Sequence, residues 1–121
     1  MNPNTMTTDE CRDWLARDEG WYQCMYEGIT DGSLRWQRDG ADPLGDGEHP
    51  FPPTLDAAAR ALPEGVVIEL YQHGDDRVID RRFNVRGYGC SRLLGETFAD
   101  TELLARFLLA VACRMACKEA K

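Results

Sequence analysis

Val66-Val-Ile-Glu-Leu-Tyr-Gln-His73 is followed, across Gly74-Asp75-Asp76, by Arg77-Val-Ile-Asp-Arg-Arg-Phe-Asn-Val-Arg-Gly-Tyr88. Successive side chains of a strand point to opposite faces. Val66, Ile68 and Leu70 then share one face of the first segment. Ile79, Phe83 and Val85, with Arg81 among them, share one face of the second. Gly-Asp-Asp is a tight polar connection, so the pair reads as an antiparallel hairpin at the centre of a sheet. The same period of two places Arg82, Asn84, Arg86 and Tyr88 together on the opposite face. Two guanidiniums, an amide and a phenol in one row are unexpected in a chain of formal net charge −7.

Working outward, the flanks read as helices that cover this hairpin. Thr7–Glu10 is a capping box, and Cys11, Trp14 and Leu15 follow at helical spacing, so a short helix is expected over about 9–18. Gly20 ends it. Trp21–Tyr26 is aromatic-rich and suits a strand. Asp31-Gly32 is a hairpin turn signal, and Leu34 and Trp36 alternate with Arg35 and Gln37 in a second short strand. Asp39–Pro53 is rich in Gly, Pro and Asp and reads as a long loop, of the kind that is often functional or mobile. Thr54 caps a second helix with Leu55, Ala58, Ala59 and Leu62 inward, stopped by Pro63 and Gly65. Gly87 and Gly89 bracket Tyr88 and predict a kink, and Cys90–Asp100, with Gly95, reads as a loop. Asp100 or Thr101 caps the last helix, which runs to about Lys118. Its apolar face is Leu103, Leu104, Phe107, Leu108, Val111, Ala112 and Met115, with Arg106 and Arg114 off the stripe. The expected class is α+β, a small antiparallel sheet layered with helices like an α/β/α sandwich. It is one domain over residues 1–121, with a flexible N-terminus at 1–7 and the long loop at 39–53.

The bulk numbers fit that reading. A chain of 121 residues, 43% hydrophobic and 29% charged, is the size and composition of one globular domain. No apolar run approaches the ~18 residues of a membrane helix. Met1–Thr8 has neither a basic nor an apolar signal region, so a cytoplasmic location is expected. The acidic balance disfavours duplex nucleic acid as a partner. Five cysteines without a secretory signal argue against a disulfide framework. The width of the last helix's stripe and the aromatics of the N-terminal third predict a homodimer or larger assembly.

The row Arg82, Asn84, Arg86 and Tyr88 is a candidate anion or nucleotide site. Arginine forks onto phosphate, asparagine reads a base or ribose edge, and tyrosine stacks on a base. The plainer alternative is a solvated outer face with arginines paired to Asp75, Asp76 or Asp80. Trp14, Trp21, Tyr22, Tyr26 and Trp36 supply either core volume or a stacking platform, and Trp36 is the candidate ligand contact among them. Cys113 and Cys117 stand at i, i+4. Four metal ligands at zinc spacing are nonetheless missing, and His49 and His73 lie in or beside loops, so no metal site is expected. No P-loop, G-x-G-x-x-G, H-E-x-x-H or G-x-S-x-G occurs. Nothing in the sequence places a base beside a nucleophile, so neither catalysis nor a cofactor is expected.

Three stretches carry a resemblance. They are Cys11-Arg-Asp-Trp-Leu-Ala16, His49-Pro-Phe-Pro-Pro-Thr-Leu-Asp-Ala-Ala-Ala-Arg-Ala-Leu-Pro-Glu-Gly65 and Ala105-Arg-Phe-Leu-Leu-Ala-Val-Ala-Cys-Arg-Met-Ala116. In layout the chain resembles small phage proteins with the phage ABA-sandwich domain, in which helices cover both faces of a small sheet. It also resembles the first type of phage Thoeris anti-defence proteins. That resemblance implies a non-catalytic immune-evasion protein of the host bacterial cytoplasm, which sequesters a cyclic ADP-ribose-type signal and, in some relatives, cyclic oligonucleotides. It also implies a pocket shared between subunits, with one arginine from the last helix, Arg106 or alternatively Arg114. The alternative function is a protein-interaction module or inhibitor of a host enzyme with no small-molecule ligand. A concave pocket bearing Arg86 and a helix arginine favours the first; a flat apolar patch favours the second.

Overall fold

A computed structural model describes residues 6–24, 34–40, 44–45, 48–72, 83–89 and 91–119. Its helices are α1 (Thr8–Asp18), α2 (Leu55–Ala61) and α3 (Glu102–Glu119). Its strands are β1 (Tyr22–Cys24), β2 (Arg35–Gln37), β3 (Val67–Gln72), β4 (Phe83–Gly89) and β5 (Arg92–Ala99). β1 and β2 form an antiparallel ribbon, and β3-β4-β5 an antiparallel sheet with β4 in the centre. The protein is α+β. The turn at Asp31-Gly32, the connection at Gly74-Asp75-Asp76, the strand residues 77–82 and the N-terminal residues 1–5 lie outside the described residues.

The sheet positions everything else. β3 and β4 pair as a hairpin from Val67 opposite Tyr88 to Gln72 opposite Phe83. β5 then pairs with β4, Phe83 opposite Ala99 and Arg86 opposite Glu96, with a bulge at Gly87/Tyr88 where the glycines predicted a kink. The segment read as a loop at Cys90–Asp100 is therefore mostly strand. Gly95, expected within that loop, sits where α3 approaches: a Cβ there would stand 3.0 Å from Ala112 Cβ. A Cβ on Gly87 would come 2.8 Å from Cys113 Sγ. Two glycines in adjacent strands thus let the helix lie against the backbone, a packing role that local sequence reads as a turn.

Val85, Gly87, Gly95, Thr97 and Ala99 form the covered face. Thr97 Oγ1 donates 2.8 Å to the Ala105 carbonyl and ties β5 to α3. α1 and α2 pack on the far side of α3. Phe107, Leu108, Leu109, Ala110 and Val111 are consecutively buried, because the helix is covered by the sheet on one side and by helices on the other. The buried surface of α3 is therefore wider than a single stripe and includes Ala105, Leu109, Ala110 and Cys113. Three layers result, in the order sheet, α3, then α1 with α2, so the expected α/β/α sandwich is corrected: the helices lie on one side of the sheet, and α2 packs on α3 rather than on the strands.

The caps follow the sequence closely. Thr7 Oγ1 accepts from the Glu10 amide at 3.2 Å and Glu10 Oε1 from the Thr7 amide at 3.0 Å. Thr54 Oγ1 accepts from the Ala57 amide at 3.1 Å, and Thr101 Oγ1 from the Leu104 amide at 3.2 Å. The inward face of α2 is Ala57, Ala58 and Ala61, whereas Leu55 is 45% exposed and Ala59 is exposed. The buried side chains of α2 are all methyl groups, so the short helix can come close to α3, and Leu55 at its first turn is left outside.

Arg114 locks the helical layer. Its Nε donates 2.7 Å to the Ala61 carbonyl at the end of α2, Nη1 3.1 Å to Asp18 and Nη2 2.8 Å to Glu19 at the end of α1. The described part of the long 39–53 loop is anchored too. Phe51 is buried, its carbonyl accepts from Arg12 Nε at 2.6 Å, and the Leu44 amide donates 3.0 Å to the Trp36 carbonyl.

Candidate interaction face on the sheet

The outer face of the sheet is built by alternation. β4 contributes Asn84, Arg86 and Tyr88. Their register partners add Val67, Glu69 and Tyr71 from β3, and Leu93, Glu96 and Phe98 from β5. Of the apolar and aromatic members, Val67 is 66%, Leu93 49%, Tyr71 40% and Phe98 39% exposed. Scattered surface apolar residues are ordinary; four on one face of one small sheet are a patch.

The polar members of the face hold one another. Arg86 Nε is ion-paired with Glu96 on the neighbouring strand, and its guanidinium lies 5.3 Å from the centroid of the Tyr71 ring. Tyr71 Oη donates 2.9 Å to Glu69 Oε2. Hydrogen bonds from Tyr71 and then Tyr88 keep the Glu69 carboxyl below the usual carboxylate range. Its bonds to Glu96 and Tyr88 raise Arg86 above its ordinary value. Asn84, only 4% exposed, donates through Nδ2 to the Thr97 carbonyl at 3.1 Å and to Glu96 Oε2 at 3.4 Å. The row is thus a network laid flat on the sheet.

Asn84, Arg86 and Tyr88 therefore share one face, as the alternation predicts. Arg82 lies outside the described residues, as do Asp75, Asp76 and Asp80, the alternative arginine partners. Arg106 stands on α3, behind the opposite face, and its guanidinium pairs with Glu102 at 3.0 Å, one turn back. Arg114 is the clamp between helices. Trp36 is 4% exposed, with the Arg17 guanidinium 5.6 Å from its centroid and the His49 ring at 4.9 Å. None of these three joins Arg86.

Sequence reading missed Glu69, Tyr71, Val67, Leu93 and Glu96 as members of this surface. The first three were legible, because they alternate with Ile68 and Leu70. Leu93 and Glu96 were hidden by the loop reading of Gly95, although Thr97-Phe98 carries strand propensity.

Other chemical groups are committed elsewhere. His49 Nδ1 accepts from the Phe51 amide at 2.9 Å, which puts the neutral ring's proton on Nε2, 2.9 Å from Asp13 Oδ1. Burial lowers the His49 pKa against the pull of Asp13. With both nitrogens engaged, this histidine has no lone pair for a substrate. Burial pushes the Cys11 and Cys113 thiols up to about 12 and about 11, so neither is a thiolate at neutral pH. Among the described residues no three His, Cys, Asp or Glu side chains are grouped to hold a metal ion. Among the described residues no helix is long and apolar enough to cross a membrane.

Two sizeable surface cavities are lined by described residues. One, about 450 Å³, lies beside α1 and the end of α3 against Trp14, where the Lys118 ammonium sits 5.4 Å from the ring and pairs with Asp18. The other, about 470 Å³, opens between the α2–β3 connection, the β4–β5 turn and the end of α3. Neither is lined by Arg86 or Arg106. These features define a class: a small α+β domain with one sheet face packed and the other presented. Compared with known proteins, the chain matches no family model, no curated protein and no solved structure.

Proposed function

We propose that this chain is a non-catalytic interaction module whose docking surface is the outer face of β3-β4-β5, and that a second copy of the chain occupies it. The carrying observation is the exposure of Val67, Tyr71 and Leu93 on a face whose only described cation, Arg86, is already paired within the sheet. Its polarity suits self-association. The central strand carries the positive Arg86 and the flanking strands carry Glu69 and Glu96, so two such faces related by a two-fold axis and offset by one strand bring Arg86 of each copy onto an acid of the other. Elsewhere the chain, at net charge −7, repels its own copies.

The energetics set the scale. Complete burial of an aliphatic side chain contributes roughly 1.5–3 kcal/mol. Val67 and Leu93, 66% and 49% exposed, have only that fraction left to bury, so from each of two copies they supply on the order of 5 kcal/mol in all, against an association cost of ~4–15 kcal/mol. A weak, concentration-dependent dimer is the expected result.

The signal-sequestering reading attaches to the same face, since Asn84, Arg86 and Tyr88 do lie together there. It requires Arg86 to exchange Glu96 for a ligand phosphate. Hydroxyl-radical footprinting separates the two. Docking between copies predicts that oxidation of Val67, Tyr71 and Leu93 falls as protein concentration rises, while exposed Leu55 and Tyr22 are unaffected. Protection of Tyr71 and Tyr88 by a cyclic nucleotide in dilute protein would support sequestration instead. Uniform oxidation under both conditions contradicts both.

A further inference from the structure

The cavity of about 470 Å³ is lined by Pro63, Gly65, Val66, Gly89, Leu94, Ala116 and Cys117, with Glu64 and Arg92 as its two charged members. It lies on the α3 side of the sheet, away from the outer face. Three pieces of chain meet there without filling the space. Gly89 contributes no side chain, and a Cβ on it would strike Leu94 Cδ1 at 2.7 Å. Leu94, the extra residue of the β-bulge, turns inward and forms one wall. Val66 forms another, and Ala116 and Cys117 on the last turns of α3 form the third.

We propose that this cleft is a binding site for a small apolar monocarboxylate, a molecule with a hydrocarbon body and one carboxylate head. The volume is that of a small-molecule site and too small for a protein segment of any length. Its walls are hydrocarbon, so the body of the ligand is apolar. Arg92 provides the head contact. Among the described residues no carboxylate pairs with its guanidinium, and Glu64, in the same cleft, forms no ion pair with it. An exposed guanidinium that no described carboxylate pairs with, beside an apolar wall, selects a planar anion by its two-pronged geometry.

Glu64 and the carbonyl end of α3 limit that charge to one. Both are negative and offset part of the Arg92 charge, so repulsion grows with each further negative charge and a ligand with several phosphates is disfavoured far more than a monoanion. This cleft and the outer face of the sheet are therefore chemically distinct sites.

Decanoate is the probe, with decanol as the uncharged control and ADP as the polyanionic one. Cys117 provides a local reporter, because Cys11 and Cys113 are fully buried. In a protein carrying Cys24→Ser and Cys90→Ser, saturating decanoate should slow alkylation of Cys117 by iodoacetamide at least about fivefold. Decanol should protect less and ADP not at all. Arg92→Gln should weaken decanoate about tenfold or more, the scale of one charge-assisted contact, and leave decanol unchanged. Ala116→Leu, which fills the cleft from a helix position that tolerates leucine, should abolish protection by both. Circular dichroism confirms that each variant is folded. Undiminished alkylation in decanoate, equal protection by ADP, or decanoate binding that survives Ala116→Leu would each overturn the proposal.

Discussion

Arg86 and Glu96 stand directly opposite each other on β4 and β5 and form an ion pair across the outer face of the sheet. The arginine at the centre of the candidate row thus spends its charge within the plane of the sheet, with the Tyr71 ring beneath it. That pairing makes the face nearly neutral and leaves its apolar members as its main chemical character.

Glu96→Gln should release Arg86. Both side chains are part-exposed, so the urea midpoint should move little, as it does for most surface pairs. Inorganic phosphate, followed by chemical shifts of Tyr71 and Tyr88, should perturb the variant and leave the parent nearly unchanged. An equal response in both would mean that Glu96 does not restrain the arginine.

Close approach of β4 to α3 predicts a coupled pair. Gly87→Ala places a methyl against Cys113 Sγ and should cost about 1–3 kcal/mol by overpacking. Combining it with Cys113→Ala should recover part of that loss, a coupling of at least ~0.5 kcal/mol in urea denaturation. Simple additivity would show that the contact is relieved elsewhere.

Those same glycines mark where sequence ceased to be legible. Thr7, Thr54 and Thr101 announced the helix starts, because caps are local. The hairpin was legible because β3 and β4 alternate cleanly. β5 was not, because Gly95 serves a neighbour distant in sequence rather than its own strand. The reach of Arg114 to Ala61, Asp18 and Glu19 is likewise tertiary, and nothing in the period of α3 distinguishes it from Arg106. Asn84, Arg86 and Tyr88 were placed correctly on one face, but their partner Glu96 lay in the strand that was misread.

Arg114→Ala should be among the most damaging surface-proximal changes. It strands the Ala61 carbonyl and leaves the largely buried Asp18 with Lys118 as its remaining cation, and should cost roughly 2–3 kcal/mol. Arg60→Ala, whose Nη2 makes one exposed 3.3 Å bond to the Pro50 carbonyl, should stay within about 0.5 kcal/mol. Chemical denaturation of the two variants compares them, and similar losses would remove Arg114 as the clamp of the helical layer.

His49 gives the fold a pH dependence of definite sign. Its pKa is lowered on folding, chiefly by burial, so the unfolded chain binds the extra proton first. Its contribution is full above the ordinary value of 6.5 and is lost as pH falls from there through the lower folded value. Protonation also takes from Nδ1 the lone pair that accepts from the Phe51 amide. The stability advantage of the parent over His49→Gln should therefore shrink on acidification across that window, read by thermal melts. An advantage that grows on acidification would reverse the assignment.

Solution mass, measured by light scattering over a range of concentrations, tests the docking face most directly. The parent should rise from 13.7 kDa toward twice that mass as concentration increases. Val67→Glu combined with Leu93→Glu, both at exposed positions, should hold the mass at 13.7 kDa throughout while leaving the circular dichroism unchanged. A parent that stays monomeric at every concentration, or a folded double variant that associates as strongly as the parent, would contradict the account.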